Sequence, residues 1–187
     1  MSGGIGKART GSSFGRESDA RDVILNRQRT VRIPRRQLED FVARARQALR
    51  LSPGSLTIAL VTNTEIARWN RAYRHKDGPT DILSFPADAA DKSSRSPARP
   101  STSRGSMAKS PQNPDIAHFK MPVYLGDIAI APAVASRNAH RFGRTFSQEM
   151  CILILHGMLH LMGYDHETDT GQMERRERCL RQRLGLG

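Results

Sequence analysis

The sequence predicts an α+β fold in which a single mixed sheet is covered by helices, with a central helix that carries a metal site. Three observations predict it. Short aliphatic runs bounded by turn residues read as strands, and longer segments of helical period read as amphipathic helices, with strands before helices in a mixed order. The third is the segment from Met150 to Met162, which is apolar nearly all round and must therefore be buried on every side.

The elements follow in order. Val23 to Asn26 is a short apolar run and a first strand. Pro34 opens a helix, with Leu38, Phe41, Val42, Ala45 and Leu49 at helical spacing and arginines on the outer face. Ser52-Pro53-Gly54-Ser55 breaks it, and Leu56 to Val61 is a second strand. Thr62 and Glu65 form a capping box for a helix reaching about Tyr73, with Ile66, Trp69 and Tyr73 on one side. A polar turn leads into a strand from Thr80 to Pro86, and the closing proline marks that strand as ending there or lying at an edge. Val123 to Ile130 is a further strand in which Gly126 permits close approach. Pro132 opens a helix toward His140, Thr145 and Gln148 cap the apolar helix, and a basic helix from about Gly171 to Leu184 closes the chain.

Two stretches fall outside this pattern. Residues 1–21 have basic and Ser residues but no apolar segment of the kind a secretory signal needs, and are expected to be a disordered basic tail. Residues 88–120 are mostly Ser, Pro, Arg and Lys, too poor in apolar surface to offset their ordering entropy, and are expected to be a disordered insert. The remainder of 22–187 is expected to be one domain.

Composition narrows the partners. The longest apolar run lies directly against His156 and is far short of the ~18 residues of a membrane span, so no membrane is expected. Cys151 and Cys179 have no metal or redox spacing and are expected to be reduced, in keeping with a cytoplasmic location. The net charge of +12 points to a polyanion, most simply nucleic acid. Residues 22–87 carry 12 Lys and Arg against 6 Asp and Glu, whereas residues 121–187 carry 8 against 7, so the positive field sits mainly in the first half.

The chemistry is concentrated at His156-Gly-Met-Leu-His160-Leu-Met-Gly163-Tyr-Asp165-His166. His156 and His160 stand one helical turn apart on the same face. Gly163 can adopt the left-handed conformation that ends a helix, and the turn returns His166 toward the pair. Three imidazoles without a fourth protein ligand leave Zn²⁺ an open position, whereas closed structural sites are usually rich in Cys. The spacing matches the metzincin pattern H-E-x-x-H-x-x-G-x-x-H except that Gly157 stands where those proteases carry their general-base Glu, which argues against peptide hydrolysis. Asp165 or Asp127 is a candidate to orient a ligand imidazole, or each caps a turn. Glu149, about 10 Å before His156 along the helix, is too far to be a ligand and reads as supporting or structural. Ser84 and Thr80 more often satisfy backbone groups than touch substrate.

Three blocks carry a resemblance. The stretch from Asn70-Arg-Ala-Tyr-Arg74 to Thr80-Asp-Ile-Leu-Ser-Phe-Pro86, then Leu125-Gly-Asp-Ile-Ala-Ile130, then Glu149 leading into the histidine block, resembles in order the signature blocks of the YbeY family of bacterial metal-dependent single-strand endoribonucleases. The likeness spans roughly Val23 to Leu184; the tail and the insert depart from it. It implies a zinc-containing α+β domain, with one Zn²⁺ per chain on His156, His160 and His166. It also implies single-stranded RNA as substrate, ribosomal RNA and ribosomal particles as partners, maturation of the small-subunit RNA 3′ end, and ribosome quality control. It places Arg74 in the cleft opposite the metal. The residues alone leave two readings of Arg74, a guanidinium that forks onto phosphate or a surface arginine at a helix C-terminus. Two rival functions also stand, an RNA-binding assembly factor with a structural zinc and a metallohydrolase of another substrate.

Overall fold

The structure, a computed structural model, describes residues 23–87, 124–166 and 168–186. The expected tail at 1–21 and insert at about 88–120 lie outside the described residues. The elements in chain order are β1 (Val23–Asn26), α1 (Arg35–Leu49), β2 (Leu56–Leu60), α2 (Asn63–Arg74), β3 (Ile82–Pro86), β4 (Gly126–Ile130), α3 (Pro132–Arg141), α4 (Phe146–Leu161) and α5 (Gln172–Leu184).

The α+β expectation holds, with one four-stranded mixed sheet in the order β1-β2-β4-β3. β1, β2 and β4 run parallel, and β3 pairs antiparallel with β4 at the edge, where Pro86 lies opposite Gly126. A proline is tolerated there because an edge strand has one side with no ladder partner to serve. Gly126 is obligatory at this join, since a Cβ on it would lie 2.1 Å from the Phe85 carbonyl oxygen. β3 and β4 are shorter than the sequence predicts. Before Ile82, Asp81 still meets the chain beyond β4, its carbonyl accepting from Ala131 N–H at 2.9 Å, while its carboxylate takes hydrogen bonds from Asn138 Nδ2 at 3.0 Å and Thr80 Oγ1 at 3.1 Å.

Alternation along the strands divides the core between the two faces. Ile24, Leu56, Ile58, Leu60, Ile128 and Ile130 pack with α1, α4 and α5. Leu83 and Ala129, with Ala59 and Phe85, pack on the other face with Ile66 and Trp69 of α2 and with Val134. All five apolar positions read from the α1 periodicity are buried. Both expected capping boxes form, Thr62 with Glu65 and Thr145 with Gln148. Trp69 and Tyr73 both meet Phe85 edge-on, at 6.2 and 5.2 Å, as side chains on one side of the helix should, and Tyr73, at the helix end, is 68% exposed.

α4 touches α1, α3, α5, β3 and β4. Met150, Ile154, Leu155, Met158 and Leu159 on it have no exposed surface. Truncating one such side chain costs about 2–5 kcal/mol, a large share of the 5–15 kcal/mol by which domains are typically stable. The helix that bears His156 and His160 is thus held on several sides, and its ring positions inherit that rigidity.

Candidate metal centre

Two imidazoles project from the last turns of α4. His156 and His160 bring their Nε2 atoms to 3.1 Å from one another. Two nitrogens bound tetrahedrally at the ~2.0–2.1 Å typical of zinc would stand roughly 3.3 Å apart, so the pair already has the spacing of two ligands.

The third imidazole is brought in by the helix terminus. Gly163, at φ 89°, donates its N–H to the His160 carbonyl at 2.9 Å, and Tyr164 N–H donates to the Leu159 carbonyl at 3.1 Å. This is the paired ending that turns a chain sharply back, and the left-handed residue within it needs no Cβ. Tyr164 then packs against the core and His166 returns toward the pair, its ring centroid 5.4 Å from that of His156 and 5.2 Å from that of His160. One nitrogen from each histidine lies within 4.8 Å of the others.

Protonation favours ligation. Burial, and then the neighbouring His156 and His166 rings, hold the His160 imidazole below its ordinary range, although Asp165 and a hydrogen bond to the Tyr164 backbone pull the other way. His160 is therefore neutral, the form a cation requires. His156 is oriented by Glu177, whose Oε2 lies 3.0 Å from His156 Nδ1. A neutral His156 donates from Nδ1, which leaves the Nε2 lone pair for the cluster. Burial raises the Glu177 carboxyl, but the His156 hydrogen bond and the Arg181 charge more than offset it and hold it below the usual carboxylate range.

Glu177 is thus a carboxylate set behind a cluster histidine. Asp127 does not serve, because Asp127 and Ile128 point to opposite faces of β4 and α4 packs on the Ile128 side. Its carboxylate instead accepts from Tyr124 OH at 2.6 Å. Asp165 accepts from Thr168 Oγ1 at 3.0 Å and bears on His160 through its charge. Glu149 is structural: it is buried and paired with Arg144 at 2.9 Å. Sequence reasoning missed Glu177, which lies 21 residues from His156 on another helix; the available signal was its place on the same helical face as Met173, Leu180 and Leu184, where a carboxylate needs a partner.

The three histidines and Tyr164 line one side of a cleft of about 300 Å³, with Arg74 and Ser84 also on its wall. Arg74 ends α2, and His75 follows in the left-handed conformation at φ 55°, so the chain turns away at the cleft margin. Asn70 Nδ2 donates to the Gly78 carbonyl at 3.0 Å and pins the loop that follows.

Residues 23–185 match the profile of the family described as Endoribonuclease YbeY. The chain belongs to the YbeY family. A YbeY endoribonuclease of Koribacter versatilis (strain Ellin345) is 32% identical over 164 residues, covering 88% of this chain and 86% of the relative. One from Bacillus thuringiensis (strain Al Hakam) is 33% identical over 153 residues, covering 80% and 86%. The solution structure of a Thermotoga maritima protein has a similar fold, with a TM-score of 0.50 at 23% identity over 87% of each chain. The YbeY match spans every element that builds the cleft, from α2 to α5. Among the described residues no helix is long and apolar enough to cross a membrane.

The chain's own residues fit a cation. Three nitrogen donors converge, one of the rings has a carboxylate 3.0 Å behind it at Nδ1, and the cluster contains no thiolate. An all-imidazole set with cleft on one side suits zinc held for chemistry better than a closed structural site.

Proposed function

We propose that the chain is a zinc-dependent single-strand endoribonuclease acting in ribosomal RNA processing, with small-subunit 3′ end maturation and ribosome quality control as its setting in the cytoplasm. The observation that carries this reading is the convergence of His156, His160, His166 and Arg74 on one cleft in a YbeY-family chain whose net charge is +12. Relatives at about a third identity bear the name endoribonuclease.

His156, His160 and His166 would hold the ion. When bound, it supplies Lewis-acid charge and a water brought toward neutral pKa. The planar fork of the Arg74 guanidinium fits two phosphate oxygens at once. Placed on the same cleft as the histidines, it holds the scissile phosphate and offsets the charge that grows on it during in-line displacement. The basic first half of the chain draws the strand in. Among the described residues the cleft wall offers Asp165 but no Glu as a proton acceptor. Two nucleophiles fit. Water attack breaks the P–O3′ bond and leaves a 5′-phosphate, whereas attack by the RNA 2′-OH breaks P–O5′ and leaves a 2′,3′-cyclic phosphate.

Metal analysis of the purified protein and single-turnover cleavage of a single-stranded RNA, with the product ends identified, test this together. One zinc per chain and cleavage abolished by His160→Ala in a folded, RNA-binding protein are expected. Undiminished cleavage by that variant at the same enzyme concentration would make the zinc structural and the chain an assembly factor.

A further inference from the structure

The cluster is supported from outside by a chain of groups reaching into the terminal helix. His156 Nδ1 lies 3.0 Å from Glu177 Oε2, and the other oxygen, Glu177 Oε1, accepts from Arg181 one turn further along α5. Glu177 is buried, at 8% exposure, and an acidic side chain is rarely so buried unless paired. Both of its oxygens are engaged, one by an imidazole and one by a guanidinium, so its orientation is fixed from two sides.

α5 itself is anchored independently. Met173, Leu180 and Leu184 are buried in the main core. Asp169 takes the N–H groups of Gly171, Gln172 and Met173 at 2.7, 3.1 and 2.7 Å and so caps the helix's first turn. The carboxylate therefore reaches His156 from a helix seated by its own contacts.

Resting on the reading that the histidines hold a metal, we propose that Glu177 is a positioning residue for the metal centre, with Arg181 holding it in place. Glu177 fixes His156 with its proton on Nδ1 and its lone pair on Nε2, and its negative charge makes that nitrogen a better donor. Arg181 prevents the carboxylate from rotating away. The seating of α5 and metal affinity are then linked: α5 strengthens the site, and an ion in the site tightens α5 onto α4.

The test uses the full chain with Glu177→Gln, which keeps an acceptor of the same shape without the charge, Glu177→Ala, which removes the acceptor, and Arg181→Met. Zinc dissociation constants come from chelator competition. The tautomer of His156 in metal-free protein comes from long-range nitrogen–proton NMR. Carboxylates behind ligand histidines typically contribute 10–100-fold in affinity. We expect a loss in that range for Glu177→Ala, a smaller one for Glu177→Gln and Arg181→Met, and a shift of His156 away from the Nδ1–H form in Glu177→Ala alone. A merely structural Glu177 would lower stability and leave the tautomer unmoved. Should Glu177→Ala fail to fold, Glu177→Gln and Arg181→Met decide the matter, since both with parental zinc affinity would overturn the proposal. A parent chain that binds no zinc would overturn the proposed function as well, whereas a zinc-binding parent with unaffected variants sinks this inference alone.

Discussion

Gly157 lies directly against Ile128: a Cβ built on it would meet three side-chain carbons of Ile128 at 2.9 to 3.1 Å. α4 therefore crosses β4 at its closest possible approach one residue after the first histidine. The same contact explains why no Glu stands there as in metal-dependent proteases, since neither a carboxylate nor a methyl group has room.

Gly157→Ala should consequently destabilise the protein. An alanine gains about 1 kcal/mol of helix propensity over glycine, but overpacking a core costs about 1–3 kcal/mol, and Ile128, with no exposed surface, has nowhere to go. A net loss of up to ~2 kcal/mol should appear as a lower urea midpoint. Combining it with Ile128→Ala should show a favourable coupling energy. A more stable Gly157→Ala would mean that α4 can shift off the sheet at no cost.

Arg74→Lys should impair cleavage far more than folding or zinc content. Lysine keeps the charge and discards the fork, and losing one well-placed charge-stabilising donor typically costs on the order of 3 kcal/mol, roughly a hundredfold in rate. Arg36→Lys is the control, because Arg36 is exposed on α1, whereas Arg44 reaches the Leu184 carbonyl at 3.5 Å. Equal single-turnover rates for Arg74→Lys and the parent would remove Arg74 from the reaction.

Acid should destabilise the metal-free protein in two windows. The folded His160 imidazole titrates below its ordinary 6.5, so the unfolded chain takes up a proton first and stability falls as the pH drops below about 7. Glu177 titrates below 4.5 in the folded state, so its contribution, present above that value, is lost as the pH falls through its folded pKa. Both act in the same direction, and protons also compete with zinc for the imidazoles. Thermal midpoints across pH with chelator present should lose the upper step in His160→Gln and the lower in Glu177→Gln. Unchanged steps in the variants would show that other groups set the profile.

Replacing residues 90–118 with a short Gly/Ser linker should leave folding and zinc content intact. Pro86 pairs with Gly126, and Ala87 N–H donates to the Leu125 carbonyl at 2.8 Å, so the chain leaves and re-enters the sheet at adjacent points. A short loop can span them. Circular dichroism and zinc content at parental values are expected; an unfolded variant would give that segment a part in the core.

Much of this protein was legible from local spacing. Periodicity found the buried face of α1, two Thr-led capping boxes located the starts of α2 and α4, and the interval from His156 through Gly163 to His166 identified the cluster, because each signal acts within one or two turns of the residues that carry it. Contacts between distant segments were not legible, since their energy depends on the packing of whole elements. The insertion of β4 between β2 and β3, the exposure of Tyr73, the pressure of Ile128 on Gly157, and the meeting of Arg74 with the histidines in one cleft were decided by how the helices settle on the sheet. Glu177 shows the division most clearly. Helical spacing puts Glu177 on the same face as Met173, Leu180 and Leu184, unlike Glu174 three residues earlier, but only the docking of α5 on α4 decides that this carboxylate meets His156 while Glu174 stays exposed.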